Sequence, residues 1–234
     1  SDIREVLERA SARSTAATVG TGALCKIFLK EFNITVLSKV LCVGGETGPQ
    51  AIKAKITQAI KNKDTVGGIF EVAIKGVPIG LGSYAQPDRR LDAKFAQALM
   101  AIPGIKAVEI GIGFDYAVRF GSEVHDEIYY NKIKGYSHVT NNAGGIEGGI
   151  SNGQPIIIRC CMKPITTLGE PLNSVDIKTK KKTPATVQRR RGHRRRVLAG
   201  PGQLATQRLG LDLQSERHRD AVGVVAADGL ARLV

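Results

Sequence analysis

Five glycines, at positions 144, 145, 148, 149 and 153, fall inside ten residues of a stretch that reads Asn142-Ala-Gly-Gly-Ile-Glu-Gly-Gly-Ile-Ser-Asn-Gly153. Such a density helps only a chain that needs positive φ angles or very close approach of its backbone to something else. The run 155–161 that follows is short and apolar, with three consecutive isoleucines, and reads as a buried strand. Lys163 stands at its end, just before Pro164, where one ammonium and several bare backbone N–H groups could converge on an anion. A glycine-rich hairpin closed by a surface lysine fits the same residues.

Around this stretch the periodicities predict a mixed α and β chain. Residues 2–31 lack proline and place Ile3, Val6, Leu7, Ala10, Ala17, Leu24, Ile27 and Phe28 at helical intervals, so a long helix is expected. Gly20 and Gly22 each lower its helix propensity by about 1 kcal/mol relative to alanine, which predicts a close neighbour there. Residues 34–43 alternate as a strand ending at Gly44-Gly45, and 50–61 form an amphipathic helix with lysines on its wet face. A strand is expected at 65–74 with an exit loop at 77–82. The helix at 89–102 puts Leu91, Phe95, Ala98, Leu99 and Ile102 on one face before Pro103-Gly104 stops it. Strands are expected at 105–110 and 114–120, and a polar, mobile segment at 122–136.

The net charge of +13 is unevenly spread. Residues 1–177 hold 20 Lys+Arg against 17 Asp+Glu, a balance of +3, while 178–234 hold 14 against 4, a balance of +10. The run Arg189-Arg-Arg-Gly-His-Arg-Arg-Arg196 suits phosphate backbones or an import signal, but no aromatic follows Tyr136 to stack on bases. After Lys182 the chain has ten Arg, no Lys and no Ile, whereas residues 1–177 use 13 Lys and 7 Arg. This predicts a disordered basic tail.

A hydrophobic content of 42% supports a core. No apolar run is long enough for a bilayer and no basic segment leads into an apolar one, so a cytoplasmic protein without a membrane partner is expected. The cysteines at 25, 42, 160 and 161 lack CxxC spacing, and the adjacent pair in a strand points to opposite faces; all four read as buried free thiols.

The residues by themselves define an anion site without a catalyst. Arg9 and Arg13, four apart, share a helix face and with Ser11 and Lys163 could clamp phosphate or carboxylate groups; a solvated helix face is the alternative. Asp88, Arg89 and Arg90 read as helix-start charges. His125 beside Asp126 and Glu127 is a pH-tuned base or, more simply, a solvent-facing histidine. There is no Ser-His-Asp arrangement, no metal-ligand spacing, no GxGxxG and no P-loop.

A resemblance carries the reading further. Glu8-Arg-Ala-Ser-Ala-Arg-Ser-Thr-Ala-Ala-Thr-Val-Gly-Thr-Gly-Ala-Leu24, taken with Asn142–Gly153, Gly80-Leu-Gly82, Leu91-Asp-Ala93 and Val108-Glu-Ile-Gly111, resembles chorismate synthase from the first residue to about Arg189. The resemblance implies an α+β sandwich with helices packed between antiparallel β-sheets, assembled as a homotetramer. It implies an enzyme that uses reduced FMN, with NADPH as candidate reductant. The reaction would remove phosphate and a proton from 5-enolpyruvylshikimate 3-phosphate by anti-1,4-elimination, giving chorismate without net redox change.

Flavin contacts would fall on Arg9, Ala10, Ser11, Pro103, Gly104, Gly148, Lys163, Pro164, Ile165, Thr166, Thr167 and Arg189, and a substrate contact on Arg13. The Pro103-Gly104 pair departs from the Asn-Ala type commoner in the family. The family's amino-terminal third, with its functional histidines, has no counterpart here, so no catalytic residue is assigned and the chain is expected to be inactive alone. The expected organisation is a partial core at 1–177 and a tail at 178–234 that departs from the family near 190, through a frameshift or fusion. Two other functions fit parts of the chain: nucleic-acid binding through the arginine tail, and a non-catalytic partner of full-length subunits.

Overall fold

A computed structural model describes residues 12–133, 135–166 and 168–185. Its centre is a four-stranded antiparallel sheet in the order β1 (Thr35–Val43), β2 (Gly68–Lys75), β8 (Ile156–Met162), β3 (Ile105–Ile110). One face of this sheet is apolar and closed: Val36, Phe70, Val72, Ile74, Ile156, Ile158 and Cys160 are all buried. They form one core with Leu29 of helix α1 (Ala12–Lys30) and with Leu91, Phe95 and Leu99 of helix α3 (Leu91–Met100). The i, i+4, i+8 spacing of those three α3 residues is why that helix forms where it does.

Helix α2 (Pro49–Lys61) starts with proline in its first turn and lays Ile52 and Ile56 on Val43, beside Val40 and Val66. Helix α1 ends where Asn33 adopts φ 59° and the Ile34 N–H returns to the Leu29 carbonyl at 3.0 Å. Only part of α1 is covered: Leu24, Ile27 and Phe28 remain exposed, and the Phe28 ring meets that of the exposed Phe32, just past the helix end, edge to face at 5.1 Å.

The α+β class and most of the expected elements are present, and the departures have local causes. Residues 114–120 alternate apolar and polar, but Gly111 and Gly113 turn the chain off the sheet. Gly113–Val118 is a 3-10 helix with Phe114 78% and Val118 82% exposed. The described residues of the segment 122–136, expected to be mobile, carry regular elements: a short helix α4 (Gly121–Val124) leads into the hairpin of β4 (Ile128–Asn131) and β5 (Gly135–His138), where Tyr130 meets Tyr136 at 5.1 Å.

The boundary at 177/178 falls within a hairpin, because β9 (Asn173–Val175) pairs with β10 (Lys182–Pro184). The Asp176 carboxylate holds its turn by accepting from the N–H groups of Lys178 and Thr179 and the Thr179 hydroxyl. The rest of the arginine-rich tail, from 186 onward, lies outside the described residues.

Two further expectations are corrected. A Cβ at Gly20 would meet nothing within 4 Å, so no close neighbour explains that glycine. Of the four free cysteines only Cys160 is buried; Cys25, Cys42 and Cys161 are half-buried. Burial, with the adjacent Cys161 as a lesser influence, pushes the Cys160 thiol up to about 12.

Candidate anion and cofactor site

Strand β8 connects the two parts of the candidate site. At its far end the Lys163 N–H donates to the Gly104 carbonyl at 2.9 Å, which fixes the expected Lys163 and Pro103-Gly104 contacts side by side. The Thr65 hydroxyl donates to the Ile165 carbonyl at 2.7 Å, pinning the next turn of chain onto the loop before β2. Lys163, Pro164 and Thr166 are exposed and Ile165 is half-buried. Among the described residues the Lys163 ammonium has no ion pair. A fixed backbone carrying a free cation and the Thr166 hydroxyl can bind an oxyanion.

At the near end lies the glycine-rich hairpin, β6 (Ile146–Glu147) and β7 (Ile150–Ser151). Its glycines serve different ends. At Gly144, with φ 63°, a Cβ would sit 2.3 Å from the Gly111 nitrogen, so that position is filled by the protein's own backbone. At Gly148, with φ 60°, a Cβ would meet nothing within 4 Å, and the backbone stands open. Arg90 reaches over this turn, with Nη1 3.4 Å from the Gly148 carbonyl, while its other nitrogens grip Asp92 at 3.0 and 2.5 Å. The hydrogen bond to Asp92, and then its charge, raise the Arg90 pKa.

The start of the glycine-rich loop is anchored by Asp126. Its carboxylate accepts from the Thr140 hydroxyl at 2.5 Å and from the N–H groups of Asn142 and Ala143 at 2.8 and 2.9 Å. Partial burial pushes this carboxyl up, but Thr140, the two N–H groups and the charge of His138 outweigh it and hold the carboxyl below its usual range. Ser151, fully buried, braces the other side: its hydroxyl donates to the Pro78 carbonyl at 2.6 Å and accepts from the Leu81 N–H at 2.9 Å. His125 is exposed and joins neither part.

Gly148 and Lys163, both expected flavin contacts, lie toward opposite ends of β8, whose seven residues span roughly 23 Å. Arg13 occupies the first turn of α1. Arg9, Ala10, Ser11, Thr167 and Arg189 lie outside the described residues. Arg90 is the helix-start charge expected from the sequence, standing just before α3 and paired with Asp92 in its first turn; the anchoring roles of Asp126 and Ser151 were not anticipated. An acid in the polar segment before the glycines was a visible signal for Asp126, whereas nothing local marks Ser151, whose partners are 70 and 73 residues away.

The fold and the site together define an α+β protein whose antiparallel sheet carries an open glycine turn toward one end and, at the other, a lysine without an ion pair among the described residues. A chorismate synthase family model matches residues 1–194, and the chain belongs to that family. It is 56% identical over 188 residues to the chorismate synthase of Caldanaerobacter subterraneus subsp. tengcongensis, covering 80% of this chain and 54% of the relative. The chorismate synthase of Thermoanaerobacter pseudethanolicus is 54% identical with the same coverage. A crystal structure of a chorismate synthase superposes with a TM-score of 0.71 at 34% identity, covering 99% of this chain and 64% of that one. The chain thus spans about half the length of the curated relatives it matches.

Proposed function

We propose that this chain is part of a chorismate synthase and contributes a half-site for reduced FMN at the end of β8. The observation that carries the reading is the exposed Lys163 ammonium, free of ion pairs among the described residues and fixed through its backbone to Gly104. Lys163 would hold an anionic part of the cofactor, with Thr166 donating a hydrogen bond and the Pro103-Gly104 turn beneath. Arg9 and Ser11 would add to that grip, and Arg13 would face the substrate, 5-enolpyruvylshikimate 3-phosphate. Bound reduced flavin would supply transient electron density while phosphate and a proton leave the substrate, with NADPH as the source of reduction.

The wider family expectations belong to the same proposal. The exposed apolar side of α1 is where a second sheet of a sandwich would lie. The complete enzyme would be a cytoplasmic homotetramer; among the described residues no helix is long and apolar enough to cross a membrane. Proton transfer needs positioned acid and base groups. None is assigned in this half-length chain, so it should not turn over substrate alone.

Anaerobic titration of the chain with reduced FMN, with and without the substrate, tests the half-site. Saturable binding should weaken about tenfold or more with Lys163→Ala, as expected for losing a charge-assisted hydrogen bond. Absence of saturable binding, or binding indifferent to that change, would overturn the assignment.

A further inference from the structure

Between α2 and β2 the chain runs through residues 62–67, and three alternate residues of that segment meet the loop that follows β8. A Cβ on Gly67 would lie 2.5 Å from the Met162 carbonyl oxygen and 3.1 Å from Pro164 Cδ, so the two backbones touch there. The Thr65 hydroxyl donates to the Ile165 carbonyl at 2.7 Å. The Lys63 carbonyl accepts from the Gly169 N–H at 2.8 Å, and the Lys63 ammonium pairs with Glu170 at 3.0 Å.

The 62–67 segment is itself held. The Asp64 N–H donates to the Ala59 carbonyl at 2.9 Å, the Asp64 carboxylate accepts from the Thr65 N–H at 2.7 Å, and the Gly67 carbonyl accepts from the Gly44 N–H at 2.8 Å. The loop has fewer ties. Lys163 is fixed by its N–H at the Gly104 carbonyl and Gly169 by its N–H at Lys63, while Pro164 has no N–H to give. Among the described residues, the Thr65 hydroxyl is the one hydrogen-bond partner of the chain between those two points.

The direction of that bond decides what the loop offers to a ligand. Across the trans peptide 165–166 the carbonyl and the N–H point to opposite sides. With the Ile165 carbonyl turned onto Thr65, the Thr166 N–H is turned away from it, on an exposed residue three positions from the exposed Lys163.

We infer that Thr65 is a positioning residue for the proposed half-site. It fixes the 165–166 peptide so that the Thr166 N–H, with the Lys163 ammonium, donates to an anionic oxygen of the flavin. This role rests on the reading of the loop as part of the flavin site. A peptide free to rotate would present its carbonyl to the same oxygen for part of the time, and a carbonyl repels an anion. The Thr65 hydroxyl is spent on Ile165 and touches no ligand; what it contributes is preorganisation, which raises affinity by lowering the cost of ordering the loop on binding.

Anaerobic titration of the full chain with reduced FMN tests it, using Thr65→Val, which keeps the shape and loses the hydroxyl, and Thr65→Ser, which keeps the hydroxyl. Thr65→Val should bind about fivefold more weakly than the parent and Thr65→Ser within about twofold of it, as expected for one hydrogen bond. In proton–nitrogen NMR spectra the Thr166 amide proton should move downfield when flavin binds to the parent and to Thr65→Ser, and less in Thr65→Val. A residue that only stabilised the fold would leave that shift of the bound state unchanged. Given the loss in Thr65→Val, reduced riboflavin, which lacks the phosphate, tells which oxygen is held: indifference of riboflavin to the change assigns the phosphate, and an equal loss assigns the ring. A parent that binds no flavin overturns the half-site and the role of Thr65 with it. A parent that binds and weakens with Lys163→Ala, while Thr65→Val binds as the parent does or Thr65→Ser is as weak as Thr65→Val, overturns the role of Thr65 alone.

Discussion

Alternate residues of β8 lie on opposite faces of the sheet. Ile156, Ile158 and Cys160 are buried beneath the helices, whereas Ile157, Arg159 and Cys161 keep partial contact with solvent. The same alternation runs through β2, where Phe70 and Val72 belong to the core and Glu71 between them belongs to a charged row, Lys39, Glu71, Arg159 and Glu109, that crosses β1, β2, β8 and β3 on the second face. Glu71 is nonetheless only 9% exposed, because Lys39 and Arg159 flank it. One face is held by packing that excludes water, the other by charges that need their partners. Removing an atom group should therefore cost differently on the two.

The largest effect is expected on the closed face. Ile158→Ala opens a cavity in a close-packed core and should lower stability by about 2–5 kcal/mol in urea unfolding at constant m. Ile157→Ala, one residue along and half-buried, should cost distinctly less; equal losses would show that the second face is as tightly covered as the first.

Next comes Arg159→Ala, which leaves the shielded Glu71 with Lys39 alone. With Arg159 partly solvated, a loss of about 2–3 kcal/mol is expected, between the range for exposed pairs and that for buried ones. Lys39→Ala, at the exposed end of the row, should cost less than about 1 kcal/mol by the same unfolding measurement. A reversal of that order would break the picture of a row anchored on Arg159.

The two adjacent thiols give a chemical version of the comparison. With its thiol pushed up to about 12, Cys160 should resist a maleimide at neutral pH in the folded protein. Cys161 should react first, as read by mass in Cys160→Ser and Cys161→Ser variants.

The smallest effect sharpens the comparison from outside the sheet, at a carboxylate held by N–H groups. The Asp126 carboxyl is held below its unfolded value of about 4. Its contribution to stability is complete above that value and is lost as pH falls through the folded one. Asp126→Asn should flatten that part of the acid limb in urea midpoints measured from pH 6 to pH 2.

Much of the closed face was legible in the sequence because it is written in local periods. Leu91, Phe95 and Leu99 announce α3, and the isoleucine run announces β8. The glycine-rich hairpin was legible for the same reason, since its constraint is carried by adjacent residues. The charged row was not, because Arg159 meets Glu71 across 88 residues and Glu109 across 50, and no short window holds both partners.

The candidate site shows the opposite relation between sequence and space. Residues 148 and 163 are close along the chain, but the extended strand between them carries them apart. The hairpin at 173–184 was missed because polar turn chemistry at Asp176, rather than apolar alternation, holds it together.

The strand order has a consequence for how the protein is made. β8 sits between β2 and β3, yet its Arg159 is synthesised 88 residues after the Glu71 it pairs with. At ribosomal rates that gap lasts roughly 4–18 s. During that interval β1 and β2 can form only a two-stranded ribbon, with the far edge of β2 unpaired and Phe70 and Val72 still seeking cover. The nascent chain is thus most exposed to misassociation between the emergence of β2 and that of β8, the period in which a chaperone would have most to shield.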